Sequence, residues 1–199
     1  MDVETTRSQE NLKLIERHLA GDEYAIEELV MKYQRKIYAL AYKMTGDIED
    51  SRDMTQNTFL KAFKNIKDFR KESSFSTWLY RIAFNTCLNE VKKKGRETVE
   101  LNESVTGSTE GALSTMIKNE KGLLVQRSLK KLPGRQRMTI ILRAYEELSL
   151  KETAEVMKCS EGAVKAHYHN GMKKLREILY RPAGTHSAAH GQRLKGEGL

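Results

Sequence analysis

Arg81, Asn85, Asn89, Lys92 and Lys93 follow one another at intervals of four, four, three and one within SSFSTWLYRIAFNTCLNEVKKK, residues 73–94. On a helix of 3.6 residues per turn, spacings of three and four return to one face, so the five make a polar strip. An asparagine amide offers a donor and an acceptor together, as a base edge requires. Arginine and lysine neutralise phosphate. Lys94 and Arg96 continue the run into KKKGR and make one end of the strip basic. The chemistry this pattern suits is recognition of nucleic acid. Beside the strip lie two apolar sides, Phe75, Trp78, Leu79 and Ile82 on one and Tyr80, Phe84, Leu88 and Val91 on the other. Those aromatics are read as anchors in a helical bundle rather than stacking platforms.

A second set of recognition residues lies in SLKETAEVMKCSEGAVKAHYHNGMKKLREIL, residues 149–179. Ser149 is suited to cap a helix running to about Lys158. Ser160, with Glu161 in the first turn behind it, is suited to cap the next. Ala154 is small where two helices would cross. The second helix would bury Val164, Tyr168, Met172, Leu175 and Leu179. It would present Gly162, Lys165, Ala166, His169, Asn170 and Lys173 on the opposite face. Caps, tight turn, small crossing residue and basic face together predict a helix-turn-helix with its second helix in the major groove. Lys165 would meet guanine or phosphate, and His169 and Asn170 would read bases or hold the backbone. Lys173, Lys174 and Arg176 would meet phosphate.

Bond-making chemistry has little support. His18, His167, His169, His186 and His190 are scattered, and the pair His186 and His190 has no third ligand near it in sequence. Cys87 and Cys159 stand alone, with no CxxC, and are read as reduced buried thiols. No P-loop, HExxH or nucleophile elbow is present. We expect no catalysis, no metal and no cofactor.

The elements that must position these residues are helical. Apolar residues recur at helical spacing from Ile26 through Leu29, Val30, Tyr33, Ile37, Leu40 and Ala41 to Met44. Leu12, Ile15 and Leu19 make a shorter stripe before Gly21. A third helix is expected to carry Phe59, Phe63 and Ile66, and the opening segment is the fourth. Residues 97–117 carry Glu97, Glu100, Glu103 and Glu110 but no lysine before Lys118, and read as a mobile acidic linker. Beyond it, Val125, Leu129 and Leu132 form one stripe, broken at Pro133-Gly134, and Met138, Ile141, Leu142 and Tyr145 form another. The expected fold is all-α. A helical bundle at 10–96 and a helix-turn-helix domain at 118–181 are joined by the linker, and a disordered tail runs over 182–199.

The 199 residues carry a formal net charge of +8 with 39% hydrophobic and 31% charged residues, the balance of a soluble protein with an anionic partner. No apolar run is long enough to span a bilayer and no secretory leader is visible, so we expect a cytoplasmic protein without membrane insertion.

The string FRKESSFSTWLYRIAFNTCLNEVKKK resembles region two of the extracytoplasmic-function sigma factors (group IV of the sigma-70 family), whose hallmark surrounds Ser76–Ala83. DIEDSRDMTQNTFLKAFKNI, residues 47–66, resembles that family's polymerase-binding helix, and residues 132–175 resemble region four. The resemblance spans most of residues 10–180 in the family's order. It implies a dissociable subunit of bacterial RNA polymerase that directs promoter-specific initiation, in response to an envelope or environmental stress. Asp53, Gln56, Asn57 and Phe59 would contact the clamp helices of the largest subunit, with Asn57 standing where an acidic residue is common. Phe69, Arg81, Asn85, Asn89, Lys92 and Lys93 would hold a melted minus-ten element with one base flipped into a pocket. Gly162, Lys165, Ala166, His169, Asn170 and Lys173 would read the minus-thirty-five element, with Asn170 and Met172 where arginines are frequent. Implied partners are core RNA polymerase (including the flap of the second-largest subunit), promoter DNA and an anti-sigma factor. The competing class is a stand-alone helix-turn-helix regulator, against which the chain shows no dimer heptad and no ligand-like glycine-rich loop.

Overall fold

A computed structural model describes residues 3–100 and 116–180. Most of the expected linker (101–115) and the expected tail (182–199) lie outside the described residues. Among the described residues every regular element is helical. They are α1 (Val3–Leu19), α2 (Tyr24–Thr45), α3 (Ile48–Lys64), a 3-10 turn (Ile66–Asp68), α4 (Phe75–Glu100), α5 (Met116–Lys130), α6 (Gly134–Ala144), α7 (Leu150–Met157) and α8 (Glu161–Tyr180).

Each break in the first four helices has a local cause. Gly21 takes φ +102° after α1, a conformation a Cβ would strain. Gly46 closes α2 at φ +66° and donates its N–H to Tyr42 O. Asp47 then caps α3, accepting from Asp50 N at 2.9 Å. Ser74 caps α4, its Oγ accepting from Thr77 N at 3.1 Å. Ile66, expected within the third helix, falls in the 3-10 turn beyond it, because α3 stops at Lys64. Ile66 is nonetheless buried.

α2 is the hub of the first unit. Leu29, Tyr33, Ile37, Leu40, Ala41 and Met44 are all buried, as the stripe predicted. Phe75 and Trp78 of α4 meet them with Phe69, and the Phe75 ring stands edge-on to Tyr33 at 5.6 Å and to Phe69 at 5.9 Å. α1 contributes Ile15 and Leu14, and also Asn11, which is buried and donates from Nδ2 to Tyr33 Oη at 2.7 Å. Leu19 departs from expectation: it is the last residue of α1 and is 49% exposed.

The second unit has its own small core of Leu129, Leu132, Ile140 and Leu175. On α8, Val164 and Leu175 are buried as expected, whereas Tyr168, Met172 and Leu179 are half-buried. Gly171 takes the closest approach to α6. A Cβ there would stand 3.0 Å from Ile140 Cδ1 and 3.4 Å from Gln136 O. The helices α4 and α5 run to Glu100 and from Met116, so each enters the stretch read as linker.

The two units share a core. Met138, Ile141 and Leu142 of α6 and Val156 and Met157 of α7 belong to the same buried cluster as the α2–α4 residues. This accounts for the two apolar sides of α4. Phe75, Trp78 and Leu79 turn into the first unit, while Tyr80, Phe84 and Leu88 are buried where the second unit packs.

The cysteines differ in burial. Cys87 is 1% exposed, and burial pushes its thiol up to about 12. Cys159 is half-buried and is also raised by burial. The thiolate is the reactive form, so iodoacetamide should modify Cys159 well before Cys87, which peptide mass spectrometry checks. The Cys87 proton is held more tightly folded than unfolded. The stability it contributes is therefore complete below the unfolded value of 9.0 and falls as pH rises towards 12. A Cys87→Ala chain should show a shallower alkaline decline.

Candidate nucleic-acid interface

The polar strip of α4 begins at a cleft and runs outward. Asn85, Asn89, Lys92 and Lys93 are exposed, and Arg81 is half-buried. Arg81, Thr77 and Trp78 line a cleft of about 920 Å³ together with the residues before α4 and with residues of α7 and the turn that follows it, among them Lys151, Glu155 and Lys158. Phe69 forms part of its floor, only 8% exposed, with its ring centroid 5.4 Å from that of Trp78. The loop over residues 69–74 is pinned to the bundle at one exposed point, where Lys71, at φ +60°, places Nζ 2.8 Å from Glu16 Oε1. Further along the strip Lys94 is committed within the protein. Its Nζ lies 2.5 Å from Asp50 Oδ1, and the hydrogen bond to Asp50 raises its pKa.

α3 positions the second set. Asp53, Gln56 and Asn57 are exposed and Phe59 is 7% exposed. Gln56 and Phe59 line a groove between α2 and α3, whose other walls include Val30, Tyr38, Leu60 and Phe63. The groove is predominantly apolar. Leu60 (59% exposed) and, elsewhere on α2, Met31 (64%) present side chains that nothing in the described chain covers. Residue-by-residue matching did not point to Leu60. Its signal was an apolar residue off the buried stripe of an amphipathic helix.

The third set lies on α8. Ser149 and Glu152 form a reciprocal cap at the start of α7, Ser149 N donating to Glu152 Oε2 at 2.7 Å and Glu152 N to Ser149 Oγ at 3.2 Å. This fixes the first helix of the pair. Lys158 closes α7 at φ +48°, and Ser160 Oγ then accepts from Ala163 N at 3.2 Å. The resulting turn swings α8 so that Gly162, Lys165, Ala166, His169, Asn170 and Lys173 are all exposed.

The sequence reading missed three residues that join the units. Tyr80 and Arg137 are buried and Glu146 is half-buried. Arg137 in particular reads as surface, and desolvation lowers its pKa. Among the described residues no cluster of histidine, cysteine or carboxylate side chains is arranged to hold a metal, and no helix is long and apolar enough to cross a membrane.

Comparison with known proteins follows the same division of the chain. Residues 29–97 match the sigma-70 region 2 family and residues 122–175 match sigma-70 region 4. The chain is 34% identical over 179 residues to the ECF RNA polymerase sigma factor SigW of Bacillus subtilis, covering 84% of this chain and 95% of that one. It is 32% identical over 182 residues to the RNA polymerase sigma-H factor of Pseudomonas aeruginosa, covering 86% and 94%. Its fold resembles that of CnrH in complex with the cytosolic domain of CnrY, with a TM-score of 0.66 at 22% identity over 87% of this chain and 99% of that one. Region 2 in the α2–α4 bundle, region 4 in the helix-turn-helix and this degree of identity over nearly the whole length place the chain among the ECF sigma factors of the sigma-70 family.

Proposed function

We propose that this ECF sigma factor, which directs RNA polymerase to promoters, divides its work among the three exposed sets. The groove between α2 and α3 docks on the clamp helices of the largest polymerase subunit through Gln56, Phe59 and the flanking Asp53 and Asn57. The strip of α4 receives the melted minus-ten strand. A flipped base enters the cleft beside Phe69 and Arg81, Asn85 and Asn89 read base edges, and Lys92 and Lys93 hold the backbone. α8 enters the major groove at the minus-thirty-five element with its six exposed residues, and the flap of the second-largest subunit supports region 4. The chain acts in the cytoplasm as a group IV sigma factor under stress control. It is held idle by an anti-sigma factor and performs no catalysis of its own.

The observation that carries this reading is the exposure of all six α8 residues on one face of a capped helix, with the α4 strip exposed from Asn85 to Lys93. An α4 facing only a core would not leave two asparagines and two lysines in line outside it. The test is reconstitution. Purified chain and bacterial core polymerase are mixed with the promoter upstream of the chain's own gene, and transcripts are mapped. Start-specific transcripts are expected. Asn85→Ala should reduce open-complex formation by about 5- to 150-fold, the equivalent of losing one good base contact of about 1–3 kcal/mol, and leave core affinity unchanged. Equal open-complex yields would remove Asn85 from the strand contact. In the same assay Lys173→Ala should weaken promoter binding for all sequences alike and lower the salt slope by about 0.9, the share of one phosphate contact.

A further inference from the structure

We propose that Glu16 of α1 is a positioning residue for base selection at the minus-ten element. By clasping Lys71 it fixes the loop that presents Arg70 and Glu72 to the cleft. The proposal rests on the sigma reading given above and gives a role to a residue outside the three exposed sets.

The loop between the 3-10 turn and α4 is anchored at both ends by its neighbours in sequence. Phe69 packs its ring on Phe75 and Trp78 and gives its N–H to Ile66 O at 3.2 Å. Ser74 caps α4, and its Oγ also lies 2.9 Å from Ser76 Oγ and 2.8 Å from Thr77 Oγ1. Between these anchors Arg70, Lys71 and Glu72 are exposed. Lys71 takes φ +60°, a left-handed conformation that a residue with a Cβ rarely adopts. Such a residue persists where its surroundings hold it. Here the holder is Glu16, whose Oε1 accepts from Lys71 Nζ at 2.8 Å across 55 residues of sequence.

The turn at Lys71 sorts the side chains of the loop. Arg70, Glu72 and Ser73 line the cleft beside Phe69 and Trp78, while Lys71 reaches out of it to α1. An arginine fork donates to base carbonyls and ring nitrogens, and a carboxylate accepts from exocyclic amines. Both therefore suit the pairing edge of a flipped base. Long side chains discriminate between bases only where the backbone beneath them is held. The clasp supplies that hold on the side away from the cleft.

α1 is a fixed platform for it. Asn11, Leu14 and Ile15, in the turn before Glu16, are all buried. The cation next along the helix does not compete, because Arg17 is bound to Asp22 Oδ2 at 2.6 Å and to Glu28 Oε1 at 3.0 Å. The Lys71 ammonium, through its hydrogen bond first and its charge second, holds the Glu16 carboxyl below the usual carboxylate range, so the clasp stays ionised at neutral pH. Both side chains are exposed, 53% for Lys71 and 61% for Glu16. Exposed pairs contribute little to global stability. Breaking this one should leave the fold intact and alter base selection, which depends on where the loop aims its side chains.

The test uses holoenzyme assembled from the full-length chain and core polymerase. Open-complex yield is measured on the promoter upstream of the chain's own gene, and on copies carrying each other base at each minus-ten position in turn. In Glu16→Gln and in Lys71→Gly the preference for the native base should fall about two- to fivefold at one position, the size expected of an exposed ion pair. Lys71→Gly keeps the left-handed turn and removes the clasp, so it separates the ion pair from the backbone bend. Preferences at the other positions, core affinity and melting temperature should not move. Exchanging the pair, Glu16→Lys with Lys71→Glu, should restore the preference, which a merely structural role for Glu16 would not produce. Unchanged preferences in Glu16→Gln overturn the proposal. So does an equal fall at every position, or an exchange that restores nothing. A wild-type holoenzyme that gives no start-specific transcripts would instead overturn the sigma reading, and the role of the clasp with it.

Discussion

A chain carrying Leu60→Asp should fold as before and lose affinity for core polymerase by about 30- to 1,000-fold, the equivalent of about 2–4 kcal/mol. Leu60 is 59% exposed on α3 at the groove it shares with Val30, Phe59 and Phe63. In the free chain an aspartate there would remain in water, and such surface changes usually shift stability by no more than about 0.5 kcal/mol. In the docking proposed above, the groove is covered and the carboxylate is desolvated without a partner, which is strongly unfavourable. Titration of labelled core polymerase, paired with a thermal melt of the free chain, separates the two effects. Undiminished affinity in a folded variant would place the polymerase contact on another surface.

Phe75→Ala should be the most damaging single truncation in the first unit, at about 3–5 kcal/mol. Phe75 is 1% exposed and lies against Tyr33, Phe69 and Trp78, with ring centroids 5.6 to 5.9 Å apart. Truncation removes the ring at the junction of α2, α4 and the loop before α4, and the edge-on contacts are lost with the buried area. The loss approaches the whole stability of a marginal domain, about 5–15 kcal/mol. The melting temperature should fall by about 6–20 °C at about 2–4 °C per kcal/mol. Phe69 would lose its support at the same time, so strand reading should fall further than the folded fraction accounts for. A loss under about 1 kcal/mol in urea denaturation would show that the aromatic cluster collapses around the gap.

Two further elements show where local pattern suffices. The α2 stripe predicted six residues that are buried, because a helix with one apolar face against several partners buries that face whatever the partners are. The exposed residues of α8 were legible for the complementary reason. Caps at Ser149 and Ser160 set where the helices start, and the 3.6-residue period then sorts inward from outward positions. The pattern was less exact where a partner's shape intervenes. Gly171 is buried because α6 approaches it closely, and Tyr168 and Met172 are correspondingly left half in solvent.

The helices, the two units and the outward-facing positions of α4 and α8 were legible in the sequence, since capping, periodicity and charge act over a few residues. It also showed that α4 has two apolar sides. Only the tertiary structure decided that the second side, with Tyr80, Phe84 and Leu88, packs at the junction with the region 4 unit. Only the fold likewise showed Arg137 buried against carbonyls of α2 and α5. Periodicity marks a surface as apolar but does not identify the surface that meets it. A charged residue reads as exposed until the acceptors that replace its water are brought to it from far along the chain.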